Sequence, residues 1–283
     1  MKRLALFLWT VCLVACQKAP KVVFTDEVLL PMTPVKDQGQ TNLCWAYAML
    51  STIETEHIAQ GDSVHLSPFY IERVVKRKQL RGMGATLLNI IRRHGIVSYD
   101  AYPDTSYHHL PAPRWVFMLG ARYTPLEFAH SVCAPDEYIA LTSNENYPYY
   151  KEVVLDLPDN WEHNSFLNIP KDSLLAHVEQ AIRNRHAVCW EGDTHERGFS
   201  FEEGIADRHN HSAPTDNHCM AIVGIARDPQ HRLFFTMKNS WGTHNAYNGL
   251  MYMSAEYLRD KTVAVFMTVG KVEITGNGIP IRS

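Results

Sequence analysis

Residues 34–48 read Pro-Val-Lys-Asp-Gln-Gly-Gln-Thr-Asn-Leu-Cys-Trp-Ala-Tyr-Ala and place Cys44 at the start of a helical pattern. Good helix formers run from Trp45 to Glu54 with apolar side chains at helical spacing, and Asn42 is the predicted N-cap. Cys44 would therefore lie in the first turn of a helix, where free N–H groups and the helix dipole favour a thiolate. The segment predicts a nucleophilic cysteine.

Two downstream motifs offer partners for this thiol. His218 opens an apolar run, and Asn239 begins the sequence Asn-Ser-Trp-Gly. An imidazolium from His218 would stabilise the thiolate and store a proton, and Asn239 would orient the ring. Gln38 would aim its amide N–H, with the backbone N–H of Cys44, at the oxygen that becomes negative when a carbonyl is attacked. These four residues are the candidate catalytic set.

The motifs resemble those of the papain-like cysteine peptidases. Gln38 stands six positions before Cys44, Trp45 follows the cysteine, and the order Cys, His, Asn is the same. The separation of Cys44 and His218, 174 residues, exceeds the about 130–150 usual in that family, and an insertion would account for the excess. The resemblance implies hydrolysis of peptide bonds in peptides or proteins through an acyl-enzyme intermediate. The alternative is a catalytically silent surface module that binds peptides or a partner protein in the same cleft.

The same resemblance implies an α+β, two-lobed fold with the active-site cleft between the lobes. A helical N-terminal lobe would span about residues 40–130, and an antiparallel, β-barrel-like C-terminal lobe about residues 150–269. Periodicity predicts helices in the first half, a helix in the connection between the halves, and strands in the second half. The helices are predicted over 44–59, 69–78, 85–94 and 172–184, and the strands over 187–190, 219–226, 233–238, 250–253 and 263–269. Ser67 and Pro68 would begin the second helix, and Gly95 would stop the third.

Further stretches are similar to the bleomycin hydrolase and aminopeptidase C branch of the family. They are residues 124–128, 187–193, 198–200 and 250–258, and the whole resemblance covers 29–269. In that branch the extreme C-terminus lies in the cleft and its carboxylate engages the amino group of the substrate, which makes those enzymes aminopeptidases. Whether the tail, residues 270–283, does the same is open, so aminopeptidase and endopeptidase modes both stand.

Three further residues are candidates for substrate contacts. Papain-like enzymes bind the substrate backbone with a glycine before the third helix, where this chain has Gly82 and Gly84. Gly82 is the first choice and Gly84 the alternative, while both could equally serve only to let the loop turn. Trp241 would pack over His218 and Asn239 and exclude water, although a core tryptophan would show the same pattern.

The N-terminus predicts export. A basic start and a twelve-residue apolar stretch form a signal peptide over residues 1–15, too short to span a bilayer. The ending Leu-Val-Ala-Cys resembles a bacterial lipobox, which predicts lipidation of Cys16, a lipid-anchored linker over 16–28 and a peptidase domain over 29–283. The expected location is the cell envelope, lipid-anchored at the outer membrane. Ordinary secretion with an incidental Cys16 is the alternative.

The composition limits the classes of partner that the protein is expected to bind. Hydrophobic residues make up 46% of the 283 residues, ample for a core, and a net charge of −3 without a basic stripe gives no reason to expect nucleic acid.

Cys133, Cys189 and Cys219 are predicted to be buried thiols, with Cys219 pointing away from the cleft by strand alternation. Thr41 occupies the position of a family half-cystine, so that family's neighbouring disulfide cannot form. We expect neither metal nor cofactor; zinc held by His209, His211 and His218 is a distant rival. The oligomeric state stays open.

Overall fold

The computed structural model describes residues 22–75, 81–103, 106, 109–118, 120–134 and 136–268. The predicted signal peptide, Cys16 and the tail over 270–283 lie outside the described residues. Among the helices that are described, none combines the length and the apolar character needed to cross a membrane.

Helix α1 (Cys44–Ala59) lies at the centre of the fold. Its residues 45–56 are all buried, and it packs against strands β7 (Val188–Gly192) and β10 (His218–Arg227). The helix is thus buried on all sides, including polar residues such as Thr52 and Glu54. The N-terminus of this rigid helix therefore holds Cys44 beside the sheet.

The remaining described helices surround α1 and the sheet. They are α2 (Pro68–Val75), α3 (Gly84–His94), α4 (Pro125–Val132), α5 (Lys171–Arg183) and α6 (Ala255–Lys261). The backbone N–H of Tyr70 donates to Ser67 Oγ at 3.1 Å, and Gly95 ends α3 with a φ of 74°. Both predicted boundary signals are confirmed, because each satisfies a local backbone requirement.

An eleven-stranded sheet supports the helices. Its other strands are β1 (Thr25–Leu29), β4 (Tyr138–Thr142), β5 (Lys151–Val154), β6 (Ser165–Asn168), β8 (Phe199–Ser200), β9 (Ile205–Ala206), β11 (Leu233–Lys238), β12 (Leu250–Ser254) and β13 (Thr262–Thr268), while β2 (Val116–Met118) and β3 (Ala121–Tyr123) form a separate hairpin. The order is β5-β6-β4-β13-β7-β10-β11-β12-β9-β8, and β1 pairs with β10. The five strands predicted from the sequence are β7, β10, β11, β12 and β13, at the centre of this order.

The sheet differs from the expected β-barrel-like lobe. The described strands follow an open path, and two of their pairs, β4 with β6 and β9 with β12, are parallel. Strand β4 begins before the boundary expected at 150, and β1 pairs with β10 inside the segment expected to be a linker. Backbone hydrogen bonds to strands that are distant in sequence hold these segments. Such bonds do not affect the local hydrophobic periodicity, so the sequence pattern does not reveal them. The fold is α+β with a mixed sheet.

Candidate active site

Strands β10 and β11 bring His218 and Asn239 together. The strands are antiparallel neighbours, with His218 at the start of β10 and Asn239 directly after β11. The distance from His218 Nε2 to Asn239 Oδ1 is 2.8 Å, and both residues are buried. Because an amide oxygen only accepts, Nε2 carries the proton of the neutral ring, and Nδ1 is left for the thiol. Asn239 Oδ1 also accepts from the backbone N–H of Ser240 at 2.7 Å, which fixes the amide.

Cys44 is the first residue of α1 and is half-buried. Leu43, not the predicted Asn42, is the N-cap and makes no side-chain cap bond; the Asn42 carbonyl accepts from Trp45 Nε1 at 2.9 Å. Hydrogen bonds with the Cys219 and His218 side chains, with the charge of His218, hold the pKa of Cys44 well below its usual range against the opposing effect of burial. The surroundings of Cys44 therefore favour the thiolate form of this residue.

Cys219 faces the cleft, contrary to the expectation from strand alternation. Cys219 and His218 line the same cavity as Cys44, although they are successive residues at the start of β10. The Cys219 sulfur also lies 3.6 Å from Glu191 Oε1. Glu191 is fully buried, and burial together with the charge of Asp216 raises its pKa well above the usual carboxyl value. A second thiol thus contacts the candidate nucleophile.

Gln38 lies on the wall of this cavity with its amide held at both ends. Its Oε1 accepts from Ser240 Oγ at 2.7 Å, and its Nε2 donates to the Thr41 carbonyl at 2.8 Å. An amide nitrogen carries two hydrogens, so one N–H remains for another acceptor.

Of the other residues predicted to contact substrate, Trp241 and Gly82 lie at the cavity, whereas Gly84 lies in the core. The Trp241 ring lies 4.3 Å from the His218 ring, centroid to centroid, and shields it. Gly82 lines the cavity with Cys44. Gly84 is buried away from it: its N–H donates to Glu191 Oε1 at 2.5 Å, and an added Cβ would lie 2.8 Å from the Phe266 ring.

The cavity at Cys44 has a volume of about 320 Å³, at the lower end of the range usual for small-ligand pockets. Its wall adds residues that sequence reasoning did not assign to the site: Arg81, Asp159, His195, Asp216 and Asn217. Asp216 and Asn217 directly precede His218, which is a signal that could have found them. Asp159 had none, because only the tertiary fold brings this residue to the cavity. A larger cavity of about 970 Å³ around Asn144 and Arg259 contains no thiol.

The three histidines of the alternative zinc site do not come together as that alternative requires. His218 pairs with Asn239, while His209 and His211 lie near Asp260, with possible ligand atoms within 4.8 Å of one another. His209 Nε2 is 3.0 Å from Asp260 Oδ2, and Arg259 Nε donates to Asp260 Oδ1 at 2.9 Å. A guanidinium on the same carboxylate competes with a metal ion, so this group acts as an ion-pair cluster.

A thiol at a helix N-terminus, an imidazole beside it and an amide on the far ring nitrogen define a cysteine-nucleophile hydrolase site. The chain belongs to the papain family of cysteine proteases, whose family model matches residues 24–268. One of its relatives in that family is an aminopeptidase.

Two relatives illustrate the range of similarity. Aminopeptidase W of Lactobacillus delbrueckii subsp. lactis is 25% identical over 167 residues, which cover 50% of this chain and 38% of the relative. The mitochondrial cysteine proteinase 1 of Saccharomyces cerevisiae is 22% identical over 380 aligned positions, covering 90% of this chain and 79% of the relative. The chain thus spans well under half of the first relative's length.

Solved structures support the fold. The crystal structure of PepW from Lactobacillus rhamnosis has a TM-score of 0.70 at 14% identity, covering 87% of this chain and 82% of that one. Bromelain from Ananas comosus, in complex with the E64 inhibitor, has a TM-score of 0.51 at 17% identity, covering 84% and 93%. At these identities the likeness concerns the fold alone.

Proposed function

We propose that the protein hydrolyses peptide bonds with Cys44 as nucleophile, His218 as acid and base, Asn239 as the residue that orients His218, and Gln38 as oxyanion donor. The observation that carries this proposal is the hydrogen-bonded series from Cys44 to His218 to Asn239, whose first two members line one cavity. The two lobes with an intervening cleft belong to the same proposal.

The acylation step follows from these positions. The Cys44 thiolate attacks the scissile carbonyl carbon, a C–S bond forms, and the carbonyl oxygen becomes negative. The backbone N–H of Cys44 and the remaining N–H of Gln38 stabilise that oxygen. His218 then gives its Nδ1 proton to the amine nitrogen as the C–N bond breaks, which releases the amine and leaves a thioester.

Deacylation returns the site to its starting state. His218, now neutral, accepts a proton from water at Nδ1, and the resulting hydroxide attacks the thioester carbon. The C–S bond breaks, the carboxylic product leaves, and the Cys44 thiolate is regenerated beside the imidazolium. Trp241 covers the ring during both steps, and Gly82 offers backbone groups to the bound substrate. Neither step needs a metal ion or an organic cofactor.

The test of the nucleophile is covalent labelling. The epoxide E64, the inhibitor in the bromelain structure, is expected to add once per chain, at Cys44, as intact-mass measurement and peptide mapping would show. Cys44→Ala should remove the adduct, whereas Cys133→Ala, at a buried thiol near α4, should keep it. Labelling that persists in Cys44→Ala would refute the assignment.

The mode proposed is that of an aminopeptidase, in keeping with the relative Aminopeptidase W. Peptides with a free amino terminus should be cleaved one residue at a time, while acetylated copies of the same peptides should be poor substrates. If the tail limits the cleft, removal of residues 270–283 should increase cleavage of the acetylated copies. Equal cleavage of free and acetylated peptides would exclude this mode.

The location proposed is the outer membrane of a bacterial cell envelope, reached by signal cleavage before Cys16 and lipidation of that residue. Mass spectrometry of the mature N-terminus should find an acylated cysteine. Cys16→Ser should release the protein from the membrane fraction, and an unmodified N-terminus in the wild type would support ordinary secretion instead.

A further inference from the structure

Two carboxylates, each with a buried and unpaired oxygen atom, share the cavity wall with Cys44. Asp159 is 6% exposed, and its Oδ1 has no hydrogen-bond partner among the described residues. Asp216 Oδ2 is likewise buried without a partner there. Both residues line the cavity that contains Cys44 and His218. Such oxygens are costly unless something else satisfies them, so they indicate a donor other than the residues that the structure describes.

The cations on this wall do not satisfy the carboxylates. Arg81 donates to Asp159 Oδ2, with Nη2 at 2.9 Å, which leaves Asp159 Oδ1 unpaired. Its bond to Asp216 goes to the backbone carbonyl, also at 2.9 Å, and not to the carboxylate. His218 is committed to Asn239 and Cys44. The described wall thus sets two carboxylates beside one guanidinium, that of Arg81, and the other imidazole on it besides His218 is that of His195.

The electrostatics of Asp216 agree with this excess. Burial raises the pKa of Asp216 to about 7, and the negative charges of Asp159 and Cys44 add to the effect against the opposing charge of Arg81. The charged form of this carboxyl is thus disfavoured in the free protein for want of a positive partner.

We infer that Asp216 and Asp159 form a binding site for an ammonium group of the substrate. The inference rests on the proposed peptidase function and names the part of the substrate that this side of the cavity recognises. An ammonium group carries three donors, which can reach Asp216 Oδ2, Asp159 Oδ1 and a further acceptor. The group is either the free α-amino group of the first residue or the side chain of a lysine preceding the scissile bond.

The α-amino group would make this site a determinant of the aminopeptidase mode. In an N-terminal residue the α-nitrogen is only two bonds from the scissile carbonyl carbon, so carboxylates lining the same small cavity as Cys44 are within its reach. Side chains of the cleft would then recognise the amino group without any contribution from residues 270–283.

The first experiment compares substrates. Asp216→Asn keeps the size of the side chain and removes its charge. We expect the ratio of kcat/KM for a free aminoacyl substrate to that of its acetylated copy to fall by about 10- to 100-fold, mainly through KM.

Acetylated dipeptide substrates with lysine or norleucine before the scissile bond form the second arm. A loss of lysine preference there, with the free-to-acetylated ratio unchanged, identifies the lysine side chain as the ligand.

The second experiment needs no peptidase activity. The cationic reagent 2-aminoethyl methanethiosulfonate and neutral methyl methanethiosulfonate both transfer a thioalkyl group to Cys44 and release methanesulfinate. Asp216→Asn and Asp159→Asn should each lower the ratio of cationic to neutral reaction rates by about 5- to 10-fold. The control Asp156→Asn makes the same change at an exposed residue outside this cavity and should leave both ratios unchanged.

The two experiments separate the inference from the proposed function. Unchanged reagent and substrate ratios in Asp216→Asn and Asp159→Asn, in a protein that cleaves peptides, overturn the ammonium site and leave the peptidase intact. A lowered reagent ratio in a protein that cleaves no peptide supports the ammonium site and counts against the peptidase function.

Discussion

Ser240 Oγ donates to Gln38 Oε1 at 2.7 Å and joins two segments that are 202 residues apart in the chain. The backbone N–H of Gln38 donates to the Ser240 carbonyl at 2.8 Å, and that of Gly242 to the Lys36 carbonyl at 3.2 Å. The loop before α1 is therefore fastened to the loop after β11. One contact region positions both the candidate oxyanion donor and the residue that orients His218.

Ser240→Ala tests whether this fastening matters for catalysis. Loss of the hydroxyl leaves Gln38 Oε1 without its donor and lets the amide rotate, so kcat should fall about fivefold, equivalent to about 1 kcal/mol. Steady-state kinetics on a peptide substrate would measure it. Ser131→Ala removes a hydroxyl that bonds to the Phe128 carbonyl in α4 and should leave kcat unchanged. Equal kcat values for the two variants would argue against a role for the Ser240 contact.

The reactivity of Cys44 should depend on Cys219. Because the pKa of Cys44 is held below the ordinary thiol value of 9.0, its thiolate should persist as the pH falls through that value and be lost only below the lowered pKa. Alkylation rates with iodoacetamide as a function of pH measure this inflection. Cys219→Ala removes the largest contribution and should move the inflection upward.

Cys133→Ala is the matched control for that profile. Burial raises the pKa of Cys133 to about 12, so the control should leave the inflection unchanged. Superimposable profiles for the wild type and Cys219→Ala would show that Cys219 does not act on Cys44.

A buried ion-pair network ties α1 to β11. Glu54 is fully buried, lies 2.9 Å from Lys36 Nζ and 4.0 Å from Lys238 Nζ, and accepts from Thr33 Oγ1. Glu54→Gln would leave buried lysine charge without its counter-ion, so the free energy of unfolding should fall by about 3–5 kcal/mol. Urea denaturation measures the change, with exposed Glu152→Gln as the control. A loss no larger than that of the control would contradict this account of the network.

The two glycines before and at the start of α3 should respond differently to alanine. In Gly84→Ala the new Cβ would meet the Phe266 ring at 2.8 Å, and overpacking should cost about 1–3 kcal/mol of stability. In Gly82→Ala the contact is the Thr86 side chain at 3.1 Å, and the Cβ changes the wall beside Cys44. Gly82→Ala should therefore raise KM more than Gly84→Ala does. Thermal unfolding and kinetics together check the pair, and the reverse pattern would be inconsistent with these placements.

Local signals predicted the parts of the fold that local chemistry determines. The Ser67 cap and the Gly95 stop need only neighbouring backbone groups, and β10 and β11 are continuous apolar runs. Helix α4 was not predicted, although Thr124 and Glu127 form a capping box that is legible in the sequence. Strand β1 was missed because its residues are mostly exposed and only pairing with β10 holds it in place.

The candidate site shows the same contrast between residues that local motifs predict and residues that only tertiary contacts bring into place. Cys44, His218, Asn239 and Gln38 were found together because each sits in a short motif whose spacing reflects its chemistry. Asp159 reaches the cavity from a loop by tertiary contacts, among them the ion pair with Arg81, which no local pattern encodes. The orientation of Cys219 was wrongly inferred: strand alternation assigned Cys219 and His218 to opposite sides, whereas both line the cavity at the start of β10.

The central claim is that Cys44 hydrolyses peptide bonds with help from His218. The most direct measurement is the mass-spectrometric detection of products from a broad peptide library, incubated with the purified wild type, Cys44→Ala and the control Cys133→Ala. We expect new amino termini with the wild type and the control, and none above background with Cys44→Ala. A wild type that leaves the library intact, or a Cys44→Ala variant that cleaves it at the wild-type rate, would contradict the claim.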